Sequence, residues 1–155
     1  MTFAQDPLPA LTGEWLGTET IAASRWGIGG PARSRVVSRL ALDGALMVQD
    51  YAGERDGKRW LDAHAVFSLQ RDEPRYRLFW FDSLGFVPSQ PAPGAWDSDA
   101  GTLMFTRSSP RGQTRHVYFD IGEAAYKLRL ESSFDGGVSW EPVMAGVYER
   151  IGRQP

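Results

Sequence analysis

Cysteine is absent from this 155-residue chain, which excludes disulfide staples, thiolate nucleophiles and cysteine-bound metals. Histidine is nearly absent, with only His64 and His116. A metal site normally wants three or more nitrogen or carboxylate ligands converging. Asp62, Asp82, Asp120 and Glu131 show no diagnostic spacing, so neither a metal nor a cofactor is expected. Lysine is confined to Lys58 and Lys127. The positive charge rests on scattered arginines, and the formal net charge is -2. Phosphate recognition needs a concentrated positive field, so no nucleic-acid partner is expected. No stretch is long and apolar enough to span a bilayer. The start, "MTFAQDPLPALTGEW", has no basic n-region and no long apolar run. No membrane partner and a cytoplasmic location are therefore the expectation. Catalytic signatures are missing too. No Gly-x-Ser-x-Gly elbow presents a serine nucleophile, and "GIGG" lacks the Lys-Ser/Thr of a phosphate loop.

Helical periodicity is the other absence. The chain reads instead as extended runs of roughly eight to twelve residues separated by turn chemistry, the spacing of an all-β sandwich or barrel. "GEWLGTETIA", "RSRVVSRLAL", "ALMVQDYAGE", "RWLDAHAVFSL" and "RYRLFWFDS" are the first such runs. "AWDSD", "GTLMFTRSS", "GQTRHVYFDI", "AYKLRLESSF" and "VSWEPVMAGVYERI" follow a proline-rich loop, "FVPSQPAPG". Asp43-Gly44 and Asp56-Gly57 supply the positive φ that tight hairpins need. Short links in chain order make antiparallel neighbours the simplest topology. A single domain over residues 1–155 is expected, with an extended N-terminal arm at 1–11 and the proline-rich loop at 85–94.

Alternation assigns faces. Tyr126, Leu128 and Leu130 oppose Lys127, Arg129 and Glu131. Arg75 and Arg77 point away from Tyr76, Leu78, Trp80 and Asp82, because long cations prefer water. With no helices to cover the apolar face, the sheet must pack on itself. Closure also removes exposed edges. The fold expected is an all-β, up-and-down antiparallel barrel of about eight to ten strands, a size that can enclose a small-ligand cavity.

Two resemblances add to this. "SSFDGGVSW", Ser132 to Trp140, resembles the Asp box of sialidases. That motif recurs there on propeller blades, away from the catalytic centre. One copy in a chain this short speaks for a turn, with Asp135 accepting hydrogen bonds from turn amides and Trp140 packing over them. Gly13-x-Trp15-x-Gly17 in "GEWLGTE" resembles the opening of lipocalin-type calycin barrels, in which the tryptophan closes the floor. "LDGAL", "HAVF", "LFWFDSLG", "GAWDSDAGTLMF" and "GVYERI", in that order, resemble bacterial domain-of-unknown-function family fifteen seventy-nine. The resemblance runs from about Leu11 to Ile151. It implies an antiparallel barrel with an inner cavity, similar to lipocalins, fatty-acid-binding proteins and nitrobindins. Nitrobindins bind haem through a histidine on a late strand. The last strand here has none, so haem is not expected.

The six tryptophans and five tyrosines carry the functional expectation, since aromatic walls with a few polar groups are what small-ligand pockets use. The candidate ligand-binding residues are Trp15, Glu19, Tyr76, Trp80, Asp82, Tyr118 and Tyr148. An inward Asp82 would want a partner such as Arg39 or Arg107. His116, Tyr118 and Asp120 share a strand face. They line a polar patch if it is inner and solvated surface if it is outer, and the second is the expectation. The leading reading is a barrel that binds a small hydrophobic or aromatic molecule, open near the proline-rich loop. One alternative is an enzyme using Glu19, Tyr118, Arg107 and Glu131, as phenolic acid decarboxylases and allene oxide cyclases use Tyr, Arg and carboxylates. Another is a self-associating module, for which outward Phe79 and Phe81 would form a homodimer contact.

Overall fold

Hairpin chemistry sets the topology. Asp56 and Gly57 take φ of 53° and 72°, the left-handed pair a two-residue hairpin turn requires, and Gly57 does so without a Cβ penalty. The same device at Leu42, Asp43 and Gly44 reverses the chain one strand earlier. The structure is a computed structural model that describes residues 6–25, 27–73, 75–85 and 88–153. Expectations that fall on residues 1–5, Trp26, Phe86 and Val87 lie outside these described residues.

The strands are β1 (Gly13–Ile21), β2 (Gly30–Ala41), β3 (Leu46–Arg55), β4 (Lys58–Gln70), β5 (Arg75–Asp82), β6 (Ala92–Asp97), β7 (Thr102–Ser109), β8 (Gly112–Phe119), β9 (Ala125–Ser133) and β10 (Glu141–Gly152). Each pairs antiparallel with the next, and β10 returns to β1 to close the barrel. The expected all-β, up-and-down architecture is what forms. Two boundaries differ. Leu8–Leu11, inside the expected extended arm, is a 3-10 turn, because burying both leucines under the barrel needs a helical spacing. Ala92–Gly94, inside the expected proline-rich loop, pair with β5, so the connection ends at residue 91. Pro93 is exposed on the outer face, where its missing N–H is tolerated at this short pairing.

Strand parity delivers the core. Trp15, Val36, Met47, Phe67, Tyr76, Leu78, Leu103, Phe105, Tyr118, Tyr126 and Tyr148 are buried, and they fall on one face of their strands. Arg33, Arg35, Arg39 and Arg75 are exposed on the other. At one end, the lower, Leu8 and Leu11 are 0% and 1% exposed and plug the opening. The Trp15 indole N–H donates to the Leu11 carbonyl at 3.1 Å, and its ring meets Tyr126 edge-on at 4.7 Å. Arg150 lies 4.2 Å from the Trp15 ring centre and donates to the carbonyls of Thr12, Ala10 and Glu123. Tyr76 donates to Asp6 in the same region. Phe67, Phe105 and Tyr118 stack edge to face above this floor.

Two β-bulges mark the opposite, upper end. Gly53 pairs with Leu61 while Glu54 pairs with Arg59, which leaves Trp60 as an extra residue. Likewise Pro142 pairs with Glu131 and Met144 with Leu130, leaving Val143 extra. A bulge re-aims the side chains around it. Both bulges act on the cavity described next.

Candidate functional site

Above the packed floor the barrel is hollow. A cavity of about 90 Å³ occupies the upper half, with walls almost wholly apolar. Its aromatic lining comes from Tyr51, Trp60, Trp80, Tyr118, Tyr126 and Tyr148, and its aliphatic lining mainly from Ile21, Leu61, Leu128, Leu130, Val143 and Met144. Val143 is 37% exposed, so the cavity reaches the surface at this end. The loop joining β5 to β6 leaves the barrel at the same end. No Asp, Glu, Lys or Arg lines the cavity among the described residues.

Bulging explains two of these residues. Parity along β4 points Ala63 and Ala65 inward and would send Trp60 out. The extra residue lets Trp60 and Leu61 both line the cavity. Gly53 makes room for them: a Cβ there would sit 2.9 Å from the Trp60 indole nitrogen and 3.0 Å from the Tyr51 ring. Val143 and Met144 repeat the pattern on β10.

Behind the wall sits Glu19, 1% exposed. Its carboxylate accepts from Tyr148 at 2.6 Å, from Tyr51 at 2.8 and 3.0 Å, and from Ser34 at 3.1 Å. A buried carboxylate normally finds a cation. Here, among the described residues, three hydroxyls on β2, β3 and β10 replace it. Burial first and the Glu19 charge second push the hydroxyls of Tyr51 and Tyr148 far above the usual phenol range. They are therefore fixed donors and not acids poised to ionise. Tyr126 stacks on Tyr148 at 4.9 Å and 12°, which holds that ring against the cluster.

The opposite wall is different. His116 and Tyr118 point inward from β8, 4% and 1% exposed. Their row was expected to be solvated surface. The structure turns it inside, because Val117 takes the outer position in this register. Asp120 alone leaves the row, at φ 47° in the following turn, where it pairs with Lys127. His116 Nδ1, Tyr118 Oη and Trp60 Nε1 are buried and have no hydrogen-bond partner among the described residues. Burial, aided by the neighbouring Arg107 charge, holds the His116 imidazole neutral by lowering its pKa to about 3. Burial alone raises the Tyr118 hydroxyl well above the phenol range.

The sequence candidates thus divide. Trp80, Tyr118 and Tyr148 line the cavity, and Glu19 stands behind it. Trp15 and Tyr76 belong to the floor. Asp82 is an orienting group: it accepts from the Trp80 indole at 3.0 Å and from the Leu84 amide at 3.0 Å. The arginine expected beside it is not its partner. Arg39 is exposed on the outer face, and Arg107 lies near His116. Glu131, expected to join Glu19, Tyr118 and Arg107, is held by Arg115 at 2.8 Å and Arg129 at 3.4 Å on the outer wall. His64 is also outside, 2.8 Å from Asp50. The sequence candidates left out Tyr51, Trp60, Tyr126 and His116, which line the cavity, although parity had put Tyr126 on the apolar face of its strand. For Trp60 the signal was present: adjacent apolar Trp60 and Leu61 break the alternation of β4.

The Asp-box segment lies outside the cavity as a closed turn. Asp135 accepts from the Ser139 amide at 2.9 Å, from the Ser139 hydroxyl, and from the Ser133 hydroxyl at 2.8 Å. These bonds, the Ser139 hydroxyl foremost, lower its pKa to about 2. Trp140 is covered by Arg115 at 3.9 Å. Every motif residue is engaged in holding the turn.

No family model matches the chain. In fold it is similar to Rv2717c from M. tuberculosis, with a TM-score of 0.71, 15% identity and cover of 95% of this chain and 96% of that one. It is also similar to the S-type phycobiliprotein lyase CPES from Guillardia theta, with a TM-score of 0.65, 11% identity and cover of 91% and 88%. At these identities the likeness is one of fold: a lipocalin-like, calycin-type barrel. In sequence, 73 residues are 36% identical to part of the Lhr helicase/probable uracil glycosylase of Mycolicibacterium smegmatis. That match covers 44% of this chain and spans 5% of the length of the curated relative.

Proposed function

We propose that this barrel binds a small hydrophobic or aromatic molecule in its upper cavity, with Trp80, Tyr118 and Tyr148 among the contacts and Glu19 and Asp82 orienting them. The carrying observation is the cavity itself. Protein interiors pack at crystal density with few voids larger than a water molecule. A space of about 90 Å³ beside a filled lower half removes packing contacts that the aromatic walls could otherwise make. The lyase among the structures of like fold supports a small-molecule ligand as a reading of this fold. The narrower likeness, to bacterial family fifteen seventy-nine, rests on the order of its motifs and belongs to the same proposal, as does a cytoplasmic location.

The enzymatic alternative is the weaker one. Its four residues do not meet, since Glu131 is on the outer wall, and the tyrosines on Glu19 hold their protons. The self-associating alternative retains one observation: Phe81 is 42% exposed on the outer wall.

Tryptophan emission tests the leading reading. Cumene (isopropylbenzene) titrated into the full chain should shift or quench it saturably, and Trp80→Phe should remove most of the change. A response unaltered in Trp80→Phe but abolished by Phe79→Ser would put the ligand on the outer wall and sink the proposal.

A further inference from the structure

We infer that the cavity ligand is a neutral aromatic carrying a hydrogen-bond-accepting carbonyl or ring nitrogen, read by Trp60, Tyr118 and His116. This rests on the cavity reading above and names the chemistry that reading leaves open. Trp60, Tyr118 and His116 line one cavity, and their Nε1, Oη and Nδ1 atoms are buried without partners among the described residues. A buried polar atom left unpaired costs free energy comparable to a lost hydrogen bond, and native chains carry few of them. Three on residues around one apolar space define the hydrogen bonds a ligand there would have to answer.

Their chemistry sets the terms of those bonds. The indole N–H can only donate, and the Tyr118 hydroxyl can donate or accept. A neutral imidazole offers Nδ1 as donor or acceptor according to its tautomer. The ligand must therefore present at least one acceptor toward Trp60, and Tyr118 can donate to the same or a second acceptor. The aromatic faces of Trp80, Tyr51 and Tyr126 around this edge favour a flat ring. Charge of either sign is disfavoured. No ionised side chain lines the space among the described residues. Glu19 has spent its lone pairs on Tyr51, Tyr148 and Ser34, and Arg107, whose charge acts on His116, does not line the cavity. An ion entering would lose its hydration without gaining a counter-ion.

Four single-ring probes of one shape separate the classes by calorimetric titration into the full chain: acetophenone, its hydrocarbon isostere cumene, benzoate and benzylammonium. Acetophenone should bind about tenfold more tightly than cumene, the worth of about one net hydrogen bond, and both ions should bind more weakly than cumene. Trp60→Phe and Tyr118→Phe should each shrink the ratio of acetophenone to cumene affinity toward one, each variant being compared on both probes. Equal affinity for acetophenone and cumene, or an advantage that survives both variants, overturns the ligand class and leaves the cavity reading standing. Tightest binding of benzoate or benzylammonium overturns it too. Binding of none of the four takes the cavity reading down with it.

Discussion

The two halves of this barrel are built from the same alternating strands and filled in opposite ways. In the lower half the polar groups that frame the floor are spoken for: the Trp15 indole by Leu11, Tyr76 by Asp6, and the Arg150 guanidinium by three carbonyls. In the upper half an aromatic wall encloses space, and three of its lining residues carry a buried polar atom with no partner among the described residues. Glu19 stands on the boundary, its carboxylate fully used by side chains of three strands. The contrast teaches that a barrel of this size can keep close packing and open volume apart. One end supplies packing, and the other retains unfilled volume and unmet hydrogen bonds.

The largest test of that division is Trp15→Ala. Removing a fully buried tryptophan from the floor should cost about 3–5 kcal/mol, read by urea unfolding, while the folded fraction binds cumene as before. A variant that kept full stability would erase the distinction between the halves.

The pH dependence sharpens it. His116 has a folded pKa lowered from 6.5 to about 3, so between those values the unfolded chain binds a proton that the folded chain refuses. Stability must therefore fall as pH drops below about 6.5, by roughly 2 kcal/mol between pH 6.5 and 5 at 1.4 kcal/mol per unit. His116→Phe should flatten the slope in this window. A slope that persists in His116→Phe would place the titrating group elsewhere.

The finest comparison is one substitution made twice. Tyr148→Phe removes a hydroxyl that donates to Glu19 at 2.6 Å and should cost about 1–2 kcal/mol. Tyr118→Phe removes a hydroxyl with no partner among the described residues and should be neutral or slightly stabilising in the ligand-free protein. Equal losses in the two variants would show that Tyr118 is engaged in the fold and not held for a ligand.

Much of the fold was readable beforehand. The Asp43-Gly44 and Asp56-Gly57 turns, the inward set Tyr126, Leu128 and Leu130, and the outward arginines of β5 follow from local rules: two-residue hairpins need positive φ, and side chains alternate along a strand. The Asp box was legible for the same reason, since Ser133, Asp135 and Ser139 bond within seven residues of chain. The candidate site was half legible. Trp80 came from parity, and Tyr118 and Tyr148 from the aromatic content, whereas Trp60 and Val143 line the cavity only because of bulges that parity reasoning leaves out.

The sequence by itself determined the strands, their turns, their faces and hence an antiparallel sheet obliged to close, because those properties depend on neighbours a few residues apart. Tertiary structure decided the rest. Glu19 meets Tyr148 across 129 residues of chain and Tyr51 across 32, Asp82 answers to Trp80 and not to an arginine, and His116 turns inward to face the cavity. Those outcomes depend on the register and closure of all ten strands. A shift of one residue sends a side chain to the opposite face, so no local pattern can specify which polar groups meet and which stay unpaired.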